Sequence, residues 1–187
     1  MALQGAMRSK ARWVTPANAL TLGRLALVPV LGAAILHDEP RLAGALLALA
    51  IASDLADGAI ARRRDEATAL GGLLDHAVDA TLCVVGLATW ACRGELPTLL
   101  APLVAAAFTQ YVLDSRVLAG RPLRANVLGR WNGIAYYALV AVPIYRDLLG
   151  LGWPAAGWVR AAGWLLIATT ALSMTDRLLA LGRARRS

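Results

Sequence analysis

Four aspartates, Asp54, Asp57, Asp75 and Asp79, interrupt otherwise apolar chain in the stretch DLADGAIARRRDEATALGGLLDHAVD. Asp54 and Asp57 are three apart, and Asp75 and Asp79 are four apart. Both spacings put a pair on one face of a helix. Gathered together, the four carboxylates repel one another and resist desolvation. An ionised residue inside a membrane span costs about 2.5–3.5 kcal/mol. Bound divalent cations relieve both penalties. An all-oxygen site suits a hard cation, Mg2+ or Mn2+, better than zinc. Four carboxylates can hold two such ions, an arrangement common in phosphate chemistry. Gly58, Ala61 and Gly71 keep the helix surfaces bare beside the acids, so a ligand can approach the backbone. Arg62 then supplies a fixed fork for phosphate oxygens. The bland alternative is that these acids pair with Arg62, Arg63 and Arg64 at an interface. We adopt it for Asp65 and Glu66, because exposed pairs are common and weak.

The acids need helices to carry them, and the composition indicates which kind. The 187 residues are 58% hydrophobic and 17% charged, against about 25% charged in a soluble domain. That pattern predicts an all-α polytopic membrane protein forming one domain over residues 1–187. Six apolar runs are long enough to span a bilayer: residues 19–37, 42–62, 69–91, 98–118, 127–149 and 156–181. An even number puts both termini on one side. Basic residues choose it: Arg8, Lys10, Arg12, Arg62 to Arg64, Arg116, Arg121, Arg124, Arg130 and Arg183 all fall on the side of the termini. Residues 1–18 are therefore expected to be a cytoplasmic segment, with the acids at the cytoplasmic interface. The net charge of +7 sits at the ends of apolar runs. It suits lipid headgroups and topology rather than nucleic acid. The first 20 residues lack the short apolar core of a secretion signal. Cys83 and Cys92, nine residues apart in one helical run, are too distant for a disulfide and read as small buried side chains. Trp13, Trp90, Trp153 and Trp158 fall near span ends, as in an aromatic belt. Small residues are dense in the runs, which predicts close helix packing.

The acidic stretch resembles the signature of the CDP-alcohol phosphotransferases, D-x-x-D-G-x-x-A-R, about eight residues, then G-x-x-x-D-x-x-x-D. Asp54, Asp57, Gly58, Ala61, Arg62, Gly71, Asp75 and Asp79 occupy every fixed position. The entry to the first run, TPANALTLGR, is similar to the family's P-N-x-L-T-x-x-R, with Ala17 inserted between Pro16 and Asn18. The resemblance implies that Asp54, Asp57, Asp75 and Asp79 bind two Mg2+ or Mn2+ ions. It also implies that Asp79 takes the proton from the acceptor hydroxyl. Gly58, Ala61, Arg62, Gly71 and Thr68 would hold a CDP-linked donor, with Asn18, Thr21 and Arg24 nearby on the first run. The implied donor is CDP-diacylglycerol and the product CMP. The implied assembly is a homodimer, and the setting the cytoplasmic membrane of a prokaryote with the site facing the cytoplasm.

The acceptor is less sharply indicated. Arg116, Arg124 and Arg130 crowd the side that holds the acids, and arginine binds phosphate bidentately. A phosphorylated alcohol is expected there, glycerol 3-phosphate first and inositol phosphate second. Glycerophosphate-type members resemble D-P-x-x-D-K at the third and fourth acids and inositol-type members D-S-x-x-D-R. DHAVDA matches neither. His76 stands where Pro or Ser is usual and is read as a local hydrogen-bonding group or an acceptor contact. Asp114 is read as ordering an acceptor arginine or pairing near Arg116. Two readings of other classes compete. An ion-coupled transporter would also place acids in spans, yet all four here come from one turn with no counterpart in the second half. A lipid-binding scaffold would not require glycines and an arginine at fixed offsets.

Overall fold

In the computed structural model the backbone is described for residues 16–64, 69–117 and 127–184, and side chains for 20–56, 72–113 and 127–180. These residues form six helices and no strand: α1 Pro16–Leu36, α2 Pro40–Arg64, α3 Ala69–Cys92, α4 Leu100–Val117, α5 Val127–Leu148 and α6 Ala156–Ala184. Each expected apolar run is one helix, with ends shifted by a few residues. α3 is long and apolar enough over Gly72–Cys92 to cross a membrane on composition alone; Leu20–Leu36 and Leu100–Leu113 are shorter apolar stretches. Charged residues interrupt two of the other helices. α2 carries Asp54, Asp57 and three arginines in its second half, and α6 carries Arg160, Asp176 and Arg177.

Three helices stop by the same device at the end away from the acids. A residue in the left-handed region follows the last turn: Asp38 (φ 60°), Gly94 (φ 76°) and Gly150 (φ 63°). The next amide then reaches back five residues. Glu39 N donates to Ala34 O at 2.9 Å, Glu95 N to Trp90 O at 3.0 Å and Leu151 N to Arg146 O at 2.9 Å. These bonds satisfy carbonyls that a helix end leaves open. The charges at this end pair among themselves: Arg146 with Glu95 at 3.0 Å and with Asp147 at 2.7 Å, and Arg93 with Asp38 at 2.8 Å.

The packing gives two linked units. α1 packs against α2 and α3, while α3, α4, α6 and α5 form a ring in which each packs on the next. The buried core draws Leu31 and Ile35 from α1, Leu47 from α2, Leu87 and Trp90 from α3 and Val140 from α5. Trp90 is 1% exposed, and its Nε1 donates to Val140 O at 3.2 Å. It is a core residue, which corrects the expectation of an interfacial belt position. Trp153 and Trp158 are exposed. Trp13 lies outside the described residues. Cys83 and Cys92 are both free thiols, as expected, but only Cys83 is buried. Large apolar side chains also face outward, among them Leu22, Leu49, Leu113, Ile134 and Leu165, on five different helices.

The crossing of α3 and α5 depends on Gly86. A Cβ there would lie 2.7 Å from Val140 Cγ1, closer than packed atoms tolerate. Gly86→Leu is therefore expected to push α5 from α3 and to destabilise the protein by about 1–3 kcal/mol. Thermal unfolding of detergent-solubilised protein checks this, and an unchanged midpoint would show that the crossing is loose.

Candidate active site

Three of the four acids meet at one atom. Arg24, on α1, is 1% exposed although it carries a full charge. Its Nη1 lies 2.8 Å from Asp54 Oδ1, 3.1 Å from Asp75 Oδ1 and 2.7 Å from Asp79 Oδ1. The helices explain the convergence. α2 and α3 are joined by a short connection, so the second half of α2 lies level with the start of α3. α1 packs against both and projects Arg24 between them. One carboxylate oxygen from each of Asp54, Asp75 and Asp79 lies within 4.8 Å of the others.

The donor set fits a hard divalent cation. All three groups are carboxylates, with no sulfur or imidazole among them, as Mg2+ or Mn2+ prefers. Asp54 and Asp75 are 39% exposed and Asp79 24%, so the cluster opens on one side while Arg24 closes the other. Divalent ions held there would supply positive charge able to stabilise phosphate oxygens.

Asp79 is held from a second direction. Tyr137, on α5, donates its hydroxyl to Asp79 Oδ1 at 2.9 Å. Two donors on one oxygen, Arg24 and Tyr137, restrict the rotation of the carboxylate. Tyr137→Phe removes a hydrogen bond to a charged group, about 1.5–3 kcal/mol. The expected result is a drop in kcat of about tenfold or more, with Mn2+ affinity and the donor KM unchanged within about twofold. Steady-state kinetics with a Mn2+ titration checks it. A matching loss of metal affinity would mean that Tyr137 holds the carboxylate cluster as a whole rather than Asp79 alone.

Asp79 also lines a cavity of about 410 Å3 enclosed by the ring of α3, α4, α6 and α5. It runs inward for two helical turns: from His76 to Cys83 on α3, from Tyr111 to Val104 on α4 and from Arg177 to Thr170 on α6. Seven residues of helix rise about 10 Å. Arg130 and Arg177 stand at its rim, and Ala80, Cys83, Val104 and Ala107 form apolar wall. The His76 ring sits 4.9 Å from Phe108 and 5.0 Å from Tyr111, and the Arg177 guanidinium covers Tyr111 at 5.1 Å. His76 is thus an aromatic-shelf residue of the cavity.

Other expected site residues are placed only by their helices. Asn18 lies in α1, Asp57, Gly58, Ala61 and Arg62 in α2, Gly71 in α3, and Asp114 and Arg116 in α4; their side chains lie outside the described residues. Thr68 and Arg124 fall outside them altogether. Thr21 is buried on α1, one turn from Arg24. Arg130 is exposed and shares the cavity with Asp79. Sequence reasoning missed Tyr137, Asn132 and Arg177 as cavity residues and undervalued Arg24. A lone arginine inside the apolar run LTLGRLALVP was the available signal; Tyr137 and Asn132 carried none.

Comparison with known proteins places the chain in a described family. Residues 14–175 match a family described as CDP-alcohol phosphatidyltransferase. The chain is 32% identical over 185 residues to a Mycobacterium tuberculosis protein named "Probable phosphatidylglycerophosphate synthase", covering 94% of this chain and 87% of that protein. It is 33% identical over 167 residues to a "Cardiolipin synthase (CMP-forming)" of Streptomyces coelicolor, covering 82% and 76%. A human protein of the same name is 41% identical over 71 residues, 37% of this chain and 23% of that one.

Proposed function

This chain belongs to the CDP-alcohol phosphatidyltransferase family, and on that premise we propose that it transfers a phosphatidyl group from CDP-diacylglycerol to a glycerol-phosphate-type acceptor, releasing CMP. Asp54, Asp57, Asp75 and Asp79 would hold two Mg2+ or Mn2+ ions beside the donor diphosphate. Asn18, Thr21, Gly58, Ala61, Arg62, Thr68 and Gly71 would seat its cytidine diphosphate part. Asp79 accepts the proton of the attacking hydroxyl. The new bond joins that oxygen to the phosphorus bearing the lipid, and the bond from that phosphorus to the CMP oxygen breaks. Arg116, Arg124 and Arg130 would bind the acceptor's phosphate.

One observation carries this reading: Asp79 belongs both to the carboxylate cluster and to the wall of the cavity. Donor and acceptor can therefore meet across one side chain. The relatives' names favour glycerol 3-phosphate over inositol phosphate. A second acceptor, phosphatidylglycerol, is favoured by the apolar cavity wall and by the cardiolipin synthase relatives. The family assignment gives no support to a transporter.

The setting we propose is a prokaryotic cytoplasmic membrane. The outward leucines and isoleucine on five helices support it, because so much exposed apolar surface suits lipid better than water. Six spans, cytoplasmic termini, a cytoplasmic site, a single domain over 1–187 and a homodimer complete the proposal.

Purified protein in lipid, given labelled CDP-diacylglycerol, Mn2+ or Mg2+ and one alcohol at a time, tests it. The alcohols are glycerol 3-phosphate, phosphatidylglycerol, inositol phosphate, inositol and serine. CMP release dependent on a glycerol acceptor and lost in EDTA is expected. Release only with inositol phosphate, inositol or serine would overturn the acceptor assignment.

A further inference from the structure

The cavity beside Asp79 holds polar groups for which the transfer step has no use. Asn132, on α5, is 4% exposed and lines the cavity. Its side-chain amide faces the Tyr136 hydroxyl, which also bonds Thr170 Oγ1 at 2.5 Å. Tyr136 can engage at most one of the two N–H groups of Asn132, and Nδ2 completes no well-formed hydrogen bond among the described residues, so at least one N–H is left unmatched. Gln110, on α4, also lines the cavity. Its Nε2 donates to Met174 O at 3.1 Å, while its Oε1 has no partner among the described residues. A buried amide left unmatched costs about 1–3 kcal/mol, and buried polar groups are nearly always satisfied. A donor from α5 and an acceptor from α4 are what a hydroxyl needs, since a hydroxyl both accepts and donates.

We propose that Asn132 determines acceptor specificity by donating to a second hydroxyl of the acceptor, next to the one that Asp79 deprotonates, with Gln110 Oε1 available as that hydroxyl's acceptor. This rests on the phosphatidyl-transfer reading above. The class of acceptor is then a glycerol phosphate with both hydroxyls unsubstituted, either free or as a lipid headgroup. A phosphorylated mono-alcohol would leave Asn132 unmatched. Sites built to bond a substrate hydroxyl reject analogues that lack it far more strongly than apolar pockets reject a missing methylene.

The test compares matched pairs of acceptors with CDP-diacylglycerol and Mn2+. Glycerol 3-phosphate is set against 3-hydroxypropyl phosphate, and phosphatidylglycerol against phosphatidyl-1,3-propanediol. The pair on which the wild-type protein works identifies the free or lipid-borne source. Wild type is expected to show a kcat/KM about tenfold or more lower for the analogue lacking the second hydroxyl. Asn132→Ala is expected to bring the pair within about twofold, and Asn132→Ser to retain an intermediate preference. A wild-type protein indifferent to the missing hydroxyl overturns the proposal without any variant. An Asn132→Ala protein with undiminished preference overturns it too. CMP release with neither glycerol acceptor removes the reading beneath it, and that outcome is distinct from either of the others.

Discussion

Asp79→Asn is expected to lower kcat for CMP release by about 10^3-fold at saturating Mn2+, within the range of 10^2–10^4 usual for a positioned general base. The substitution keeps the shape of the side chain but removes its ability to take a proton. Its effect on folding is expected to be small, because it deletes one of three clustered negative charges. The structure also makes the result interpretable. Asp79 is the member of the described cluster that both Arg24 and Tyr137 hold, at 2.7 and 2.9 Å, and that faces the cavity. Asp75→Asn, on the same helix and one turn away, is expected to weaken Mn2+ binding while leaving more of kcat at saturating metal. Steady-state kinetics across a Mn2+ titration separates the two. Activity of Asp79→Asn within tenfold of wild type would place the base elsewhere.

The second large effect concerns Arg24. In Arg24→Met three carboxylates face one another with their shared cation removed. Breaking a fully buried ion pair costs about 3–5 kcal/mol. Here the acids are 24–39% exposed, so solvent screens part of the penalty and about 2 kcal/mol is expected. For a chain of this size that lowers the unfolding midpoint by about 5 °C in EDTA. Divalent ions oppose the same repulsion. Adding Mn2+ should therefore raise the midpoint of Arg24→Met by more than that of wild type. Scanning both proteins at one rate, with and without Mn2+, makes the comparison sound even where unfolding is irreversible. Equal metal-induced shifts would show that Arg24 does not neutralise the cluster. The readout is stability, so it stands apart from catalysis.

Much of this site is legible in the amino-acid sequence. The offsets of three and four residues within the acid pairs put each pair on one helix face, and the short connection between α2 and α3 brings Asp54 to Asp75 and Asp79. The glycines and Arg62 at fixed offsets carry the family resemblance. The six apolar runs become six helices because each is long, almost continuously apolar and bounded by turn residues such as HDEP and CRGELP. Trp90 shows where such reading fails. Its place near a run's end suggests an interface, but α5 passes close enough to bury its ring and accept its Nε1–H, and no local pattern encodes a neighbour fifty residues away.

The sequence by itself determined the acids, their spacing, the helices that carry them and the class of chemistry they suit, because these are local properties set by run length, spacing and residue type. Only the tertiary structure decided that Arg24 enters the cluster, that Tyr137 holds Asp79, and that α3, α4, α6 and α5 enclose a cavity with Asn132 in its wall. The Arg24 and Tyr137 contacts alone join residues 30 to 58 positions apart, and all of these relations depend on helix crossings such as the one Gly86 permits. Which helices pack together is settled by the fit of whole faces, a global property that no single stretch of chain contains.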